Sequence, residues 1–372
     1  HERIEIQSLD EIDSTKPGVH LVKAPMGSGK TERVAGRVVE QANRLACVLN
    51  HRISLSADLA NRLNLDNYKE ETFEGDRGVA ACVNSILKAS VETALDRAPA
   101  LIIDEFSQTI DHLAVGPLER RAAVYRRFWE LIRQKEIVVL LDADLNDRDI
   151  DLVTEAVKSE KPVSVYEMPE SWADHTFRIL PAKADLVMSV CEDLKQGEKV
   201  MVALDSLTGT KRLDKEIREE IKVHDAALAE SLRILTIHSE NSGGDEQEAF
   251  LRNPDAESVN YDLVLYSPSI SSGVSLKDGH FTKVYGIYNG TVPGREFFQM
   301  LRRNRTVKML TVAAQPVGRK SRVESAESRM RGYLDLAGDM GLDPLEDDDV
   351  SYLNATVTYQ QEVQQQNAFN RL

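Results

Sequence analysis

Apolar residues along this chain fall in short unbroken runs, separated by stretches with helical spacing. "HLVKA" (20–24), "ACVLN" (46–50), "VAACV" (79–83), "ALIID" (100–104) and "IVVLLDA" (137–143) show little alternation. Such runs predict strands buried on both faces, as in a parallel sheet. Residues 30–44, 53–63, 85–95 and 118–135 between them read as helices. The pattern restarts at 175, with strands "HTFRILP" (175–181), "KVMVAL" (199–204), "RILTIH" (233–238), "DLVLYS" (262–267), "KVYGIY" (283–288) and "KMLTVAA" (308–314). Helices are expected near 183–196, 208–222, 245–252 and 294–304. Two open α/β sheets in tandem follow from this order. The polar segment "KSEKPVSVYEMPES", between Asp151 and Trp172, reads as their connection. The expected domains are 1–165 and 166–315, followed by a helical extension over 316–372.

Bulk properties narrow the class. A chain of 372 residues exceeds one typical core, and no apolar run reaches the roughly 18 residues of a membrane span, so no membrane is expected as partner. Cys47, Cys82 and Cys191 have neither metal nor disulfide spacing, which points to a reducing cytoplasm, in a bacterial cell or a virus-infected host. The N-terminus lacks signal-peptide features, and a start at His1 rather than Met points to a fragment. A net charge of −15 argues against a surface that coats nucleic acid as a whole. Residues 295–331 run against that average, with ten Lys or Arg and three Glu. "LEDDDV" (345–350) reads as a solvated acidic loop, ahead of a Gln-rich end.

"APMGSGKT" (24–31) carries the first chemistry. It fits the phosphate-loop spacing with Ala24 in the first glycine position, and it lies between a strand and a helix as such a loop must. Ala24, Pro25, Met26, Gly27, Ser28, Gly29, Lys30 and Thr31 would wrap the phosphates of ATP. Gly27 and Gly29 let backbone N–H groups turn toward an anion at a helix N-terminus. Lys30 would reach the β and γ phosphates, and Thr31 would place its hydroxyl on Mg²⁺. The plain alternative is a glycine turn with a chance lysine.

"LIIDEFSQ" (101–108) supplies the acidic partner on another strand. Asp104 would hold Mg²⁺ and Glu105 would orient and deprotonate the attacking water. A Glu directly after the metal-holding Asp is common in hydrolytic motors and unusual in small-molecule kinases. A motor also needs an arginine that completes the site from elsewhere, and "FFQMLRRNRTVK" (297–308) is the candidate, through Gln299, Arg303 and Arg305.

Taken together, "APMGSGKT", "NHRISLSADLANRL" (50–63), "CVNSILK" (82–88), "DEFS" (104–107), "LDADLND" (141–147), "YSPSISSGVSL" (266–276) and "QMLRRNR" (299–305) resemble the ordered motifs of a superfamily 2 helicase core. Within that group the chain is similar to the origin-binding-protein helicases of herpesviruses and to the helicase part of certain plasmid and phage replication proteins. The resemblance covers roughly residues 18–310. It implies two RecA-like domains that share one ATP. Gln299, Arg303 and Arg305 match the helicase motif whose arginines approach the γ-phosphate, with Arg302 standing where many relatives have Gly. Which of Arg302, Arg303 and Arg305 is the finger stays open.

The resemblance also implies nucleic-acid contacts. Arg52, Ser85, Ser272 and one of Ser206 or Thr208 would touch the strand backbone, and Gly273 would lie near the ribose-phosphate as well. Asp142 and Asp144 would link nucleotide state to strand binding. Each has a plainer reading: a surface charge for Arg52, helix caps for Ser85, Asp142 and Asp144, and structural roles for His51 and His238. The expected activity is ATP-dependent translocation on single-stranded or forked DNA, with RNA not excluded, during replication of a plasmid, phage or mobile element. Other replication proteins, or fused primase and origin-binding parts, are the expected partners. The competing functions are a nucleotide-gated assembly module and a phosphate-loop small-molecule kinase.

Overall fold

The computed structural model describes residues 1–70, 72–158, 160–169, 175–268, 274–314, 324–341 and 347–369. The chain divides into two compact units, His1–Ser171 with Glu324–Gln360, and Trp172–Val323 with Gln361–Leu372.

The first unit is built on eight parallel strands: β1 (Glu2–Glu5), β2 (Gly18–Lys23), β3 (Cys47–Asn50), β4 (Asp66–Asn67), β5 (Val79–Cys82), β6 (Ala100–Asp104), β7 (Ile137–Asp142) and β8 (Val163–Glu167). Their order across the sheet is β1-β8-β2-β7-β6-β3-β5-β4. Alternate residues of the central strands serve two cores. Val19, Leu21, Leu101, Ile103, Val138 and Leu140 face the helices Ala89–Arg97, Phe106–Val115, Arg121–Gln134 and Asp147–Val157. Val22, Ile102, Val139 and Leu141 face the helices Gly36–Gln41 and Ile53–Leu63 and the turn carrying Leu9 and Ile12. Burial on both faces explains why these strands read as continuous apolar runs.

The second unit has six parallel strands: β9 (Thr176–Leu180), β10 (Val200–Leu204), β11 (Ile234–Ile237), β12 (Leu263–Tyr266), β13 (Lys283–Tyr288) and β14 (Met309–Ala314). Their order is β11-β12-β10-β13-β14-β9. Helices Lys183–Lys195 and Leu207–His224 cover one face, and Asp245–Arg252 and Gly294–Leu301 the other.

Three expectations need correction. The segment read as a connection holds β8, which lies between β1 and β2. Pro162 sits just before it and uses its carbonyl to accept from Val19 N at 2.9 Å, so the proline borders the strand instead of breaking it. Helices Phe106–Val115 and Asp147–Val157 were not anticipated. The acidic stretch read as a loop contributes Asp347, Asp348 and Asp349 to the first turn of a helix, Asp347–Phe369, where carboxylates favour the positive end of the helix dipole. Asp348 pairs with Arg133 through two bonds of 3.0 and 3.1 Å, and Asp349 lies 3.3 Å from Arg126.

Candidate nucleotide site and nucleic-acid face

In a parallel sheet the carboxyl ends of the strands form the binding edge. In the first unit, Lys23, Asn50, Cys82, Asp104 and Asp142 are the last residues of β2, β3, β5, β6 and β7. Strand β7 lies between β2 and β6, with Lys23 in register with Asp142 and Asp104 in register with Leu141. The glycine loop that follows β2 and the acidic pair that ends β6 therefore flank Asp142.

The loop takes the conformation its glycines permit. Gly27 and Gly29 have φ of +77° and +83°, a region costly for other residues. A Cβ at Gly27 would meet nothing within 4 Å, so the backbone angle, not crowding, demands glycine there. The helix then opens with a widened π-type turn, Thr31–Ala35, before continuing over Gly36–Gln41, and no side chain caps its start. Ser28 Oγ is buried with no hydrogen-bond partner among the described residues. Lys30 Nζ is 3.5 Å from the Ala24 carbonyl oxygen. An uncapped helix start, turned glycines, a lysine and an unspent hydroxyl suit a phosphate chain.

Thr31 and Asp104 meet here. Thr31 Oγ1 lies 3.5 Å from Asp104 Oδ2, and both residues are buried. Burial raises the Asp104 pKa, Lys30 and Arg62 pull it down, and Asp142 pushes it further up. A hydroxyl and a buried carboxylate with oxygens facing across this gap fit the hard oxygen donors Mg²⁺ requires.

Glu105 adopts left-handed backbone angles, φ +53° and ψ +55°, which a residue of its size seldom holds. Its carbonyl accepts from Thr109 N at 2.9 Å, and its carboxylate accepts from Gln108 Nε2 at 3.2 Å. This left-handed residue marks the junction between β6 and the helix that follows. Strain of this kind gathers at functional positions.

Asp142 is wholly buried, accepting from Ser107 N at 2.7 Å and from Asp144 N at 2.7 Å. Its pKa is pushed up to about 7, first by burial and then by Glu105 and Asp144. Ser107 Oγ donates to Asp149 Oδ2 at 2.5 Å, and Arg148 bridges Asp149 and Asp111. The cap of the Asp147–Val157 helix is Asn146, not Asp142 or Asp144. Asp142 instead holds the first turn of the helix that follows Glu105.

The strand-end residues read as nucleic-acid contacts gather beyond β3 and β5. Arg52 precedes the Ile53–Leu63 helix, its N–H bonded to Asn50 Oδ1 at 2.8 Å and its Nε to His51 Nε2 at 2.8 Å. Ser85 is 4% exposed. Its neighbour Asn84 is exposed, accepting from His112 Nε2 at 2.8 Å and donating to the Pro117 carbonyl at 3.3 Å. Burial, with Arg52 and Arg121 adding to it, drops the His112 pKa to about 4, so this imidazole is neutral at pH 7 and donates through Nε2. Sequence reading did not single out Asn84, His112, Ser107 or Asp149.

In the second unit, Ser206 caps the Leu207–His224 helix by accepting from Gly209 N at 3.2 Å, and Thr208 is exposed beside it. Gln299 and Arg303 are buried. Arg303 Nη1 lies 3.4 Å from the Val274 carbonyl, and Arg305 Nε 3.2 Å from Ser275 Oγ. The backbone of Leu276 pairs with both arginines, at 2.8 Å to Arg303 O and 2.9 Å from Arg305 N. The arginine stretch is thus bonded to the segment that follows Ser272 and Gly273, which themselves lie outside the described residues.

Comparison with known proteins agrees with this geometry. The family model of the origin of replication binding protein matches residues 4–178. A protein of unassigned function from Picosynechococcus is 28% identical over 316 residues, covering 77% of this chain and 30% of that protein. A proposed helicase/primase complex protein of African swine fever virus (strain Badajoz 1971 Vero-adapted) is 23% identical over 280 residues, covering 72% of this chain and 25% of that protein. The chain therefore spans less than a third of the length of these relatives. Among solved structures, the DUF1998 helicase MrfA bound to DNA and AMPPNP superposes with a TM-score of 0.55 at 14% identity, over 87% of this chain and 48% of that one, a likeness of fold. The chain has the fold of a helicase core, two RecA-like parallel sheets, and residues 4–178 are similar to the origin of replication binding protein family.

Proposed function

We propose that this chain is the ATP-driven motor of a replication protein, hydrolysing ATP to move along, and to open, DNA. The observation that carries the reading is the meeting of Thr31 and Asp104 beside the glycine loop and its uncapped helix start, with Glu105 next to Asp104 in a left-handed backbone conformation. The viral relative's helicase/primase description and the origin-binding family match support a place in replication; a plasmid, phage or mobile element is the setting we propose.

In this reading the amides of residues 27–31 and Lys30 bind the phosphates, and Thr31 and Asp104 would hold Mg²⁺, which would supply neutralisation of phosphate charge. Glu105 takes a proton from the attacking water. Asp142, bonded to Ser107 N, keeps the start of the Glu105 helix in place while the carboxylate works. Gln299, Arg303 and Arg305 form the stretch that supplies the arginine completing the site, worth roughly 10³–10⁵ in rate where such fingers have been measured. Arg52, the Ser85 turn, Ser206, Thr208 and Ser272 hold the strand backbone.

The test is ATP hydrolysis with and without single-stranded DNA, single-stranded RNA and forked duplex. Stimulation by DNA, abolished by Lys30→Ala, supports the motor. Hydrolysis indifferent to nucleic acid, or transfer of phosphate to a small acceptor, overturns it.

A further inference from the structure

One carboxylate in the second unit makes more bonds than a strand end needs. Asp205 directly follows β10 and is 4% exposed. Its two oxygens each accept from Asn289 N at 2.9 Å, Oδ1 also accepts from Asn289 Nδ2 at 2.6 Å, and Oδ2 accepts from Thr291 N at 2.9 Å. The bond is returned by Thr291 Oγ1, which donates to the Asp205 carbonyl. Residues 289–291 directly follow β13, the strand paired beside β10. Gly290 turns the loop with φ +74°, and Tyr288 donates its hydroxyl proton to the Val292 carbonyl at 2.9 Å. Pro293 then precedes the Gly294–Leu301 helix, which leads into Arg303 and Arg305.

Among the described residues, the N–H groups of Asn289 and Thr291, in the turn between β13 and that helix, are both held by this one side chain. On the other side of Asp205, Ser206 caps the helix that presents Thr208. Asp205 therefore joins the residues read as strand contacts to the loop that launches the arginine stretch.

We propose that Asp205 is a positioning residue for Arg303 and Arg305: its buried carboxylate fixes where the helix that leads into them begins. The proposal rests on the motor reading for the arginines' role, but its structural half does not. A carboxylate is the residue type suited to three N–H donors, one of them shared between both oxygens, since it has acceptors only. An amide at this place turns an NH₂ toward the same donors and leaves at least one of them unpaired.

The test is Asp205→Asn, with Asp205→Glu and Thr291→Val beside it. Hydrogen exchange of amides 289–301 reads loop anchoring without reference to activity. Exchange there is expected to rise at least tenfold in Asp205→Asn, while amides of β10 and β12 stay as in the parent. In steady-state hydrolysis with single-stranded DNA, Asp205→Asn is expected to lower kcat about 10²-fold, the loss an ångström of misplacement produces, with KM for ATP within threefold. Asp205→Glu, with its acceptors moved by one methylene, should recover part of kcat, and Thr291→Val should lose less than Asp205→Asn. Unchanged exchange at 289–301 overturns the anchoring. Raised exchange with unchanged kcat in an enzyme that DNA stimulates overturns the positioning role. A parent with no DNA-stimulated hydrolysis refutes the motor reading and with it the positioning role, while the exchange result still decides the anchoring.

Discussion

The backbone N–H of Ser107 donates to Asp142 Oδ2 at 2.7 Å, across a sequence separation of 35 residues. The bond ties the end of β7 to the first turn of the helix behind Glu105, and it is made inside the protein by a carboxylate with Glu105 and Asp144 nearby. Asp142 has a pKa of about 7 in the fold against 3.8 when unperturbed. Between those values the native state holds more proton than the unfolded one, so this group's contribution to stability falls as pH rises from about 4 to about 7. Asp142→Asn removes the titration. In urea unfolding with EDTA at pH 5.0, 6.0 and 7.5, the stability of the parent relative to Asp142→Asn should shrink as pH rises. A gap that widens with pH would mean that the two N–H bonds outweigh burial and that the carboxylate is charged throughout.

Glu105 combines strain with chemistry. Left-handed angles on a non-glycine residue cost on the order of 1 kcal/mol or more, and glycine takes them without that cost. Glu105→Gly should therefore leave the first unit as stable as the parent or more stable by about 1 kcal/mol, the extra unfolded-state freedom of glycine offsetting part of the gain. If Glu105 is the base we propose, hydrolysis should nevertheless fall by more than about 10²-fold. Glu105→Gln keeps the strain and should still bind ATP while failing to turn it over. Normal turnover by Glu105→Gln would assign the base to another residue.

Features carried by contiguous residues were legible before the fold was seen. The glycine loop, the acidic pair and both sets of buried strands each lie in one short string whose spacing states its geometry. The edge strand β1, "ERIE", has no such string, because three of its four residues are exposed and no apolar face is needed. Strand β8 offers only Val163, Val165 and Tyr166 between two prolines, which imitates a linker. The Phe106–Val115 helix went unread although Phe106, Ile110 and Leu113 stand at helical spacing, all buried, because the acidic pair before it drew the stretch toward a strand end. The polar contacts that shape the site, Ser107 with Asp142 and Asp149, Asn84 with His112, and Asp205 with Asn289, join residues between 28 and 84 positions apart. Nothing in local spacing announces such pairs.

Arg52 offers a test of the nucleic-acid face that is separate from hydrolysis. Its backbone is fixed by Asn50, whose amide also donates to Ser56 Oγ at 3.0 Å, and its Nε rests on His51. The side chain is half-buried at the binding edge of β3. If it meets a backbone phosphate, Arg52→Ala should weaken single-stranded DNA binding equally for unrelated sequences. It should also reduce the slope of log K against log salt by about 0.7, the release expected for one phosphate on a single strand. Fluorescence anisotropy over a range of salt concentrations measures both. Weaker binding with an unchanged slope would assign Arg52 to holding the His51 turn, not to the strand.

The C-terminal helix tests whether the first unit is complete without its last segment. Ala355 is fully buried in the core that holds Val124, Phe128 and Trp129, and Tyr352 packs its ring edge-on to Tyr125 with centroids 5.3 Å apart. Tyr352 also donates to the Ala114 carbonyl at 3.2 Å, at the end of the helix that begins after Glu105. Asp348 and Arg133 form a two-bond pair that is partly exposed, so Asp348→Ala should cost about 1 kcal/mol or less. Ala355→Glu places a charge in an apolar core and should cost about 3 kcal/mol or more. Tyr352→Ala falls between, since it removes a ring that is only partly buried. Thermal unfolding of the full chain should show losses that increase from Asp348→Ala through Tyr352→Ala to Ala355→Glu. Equal melting temperatures across the series would mean that the helix rides on the unit without stabilising it.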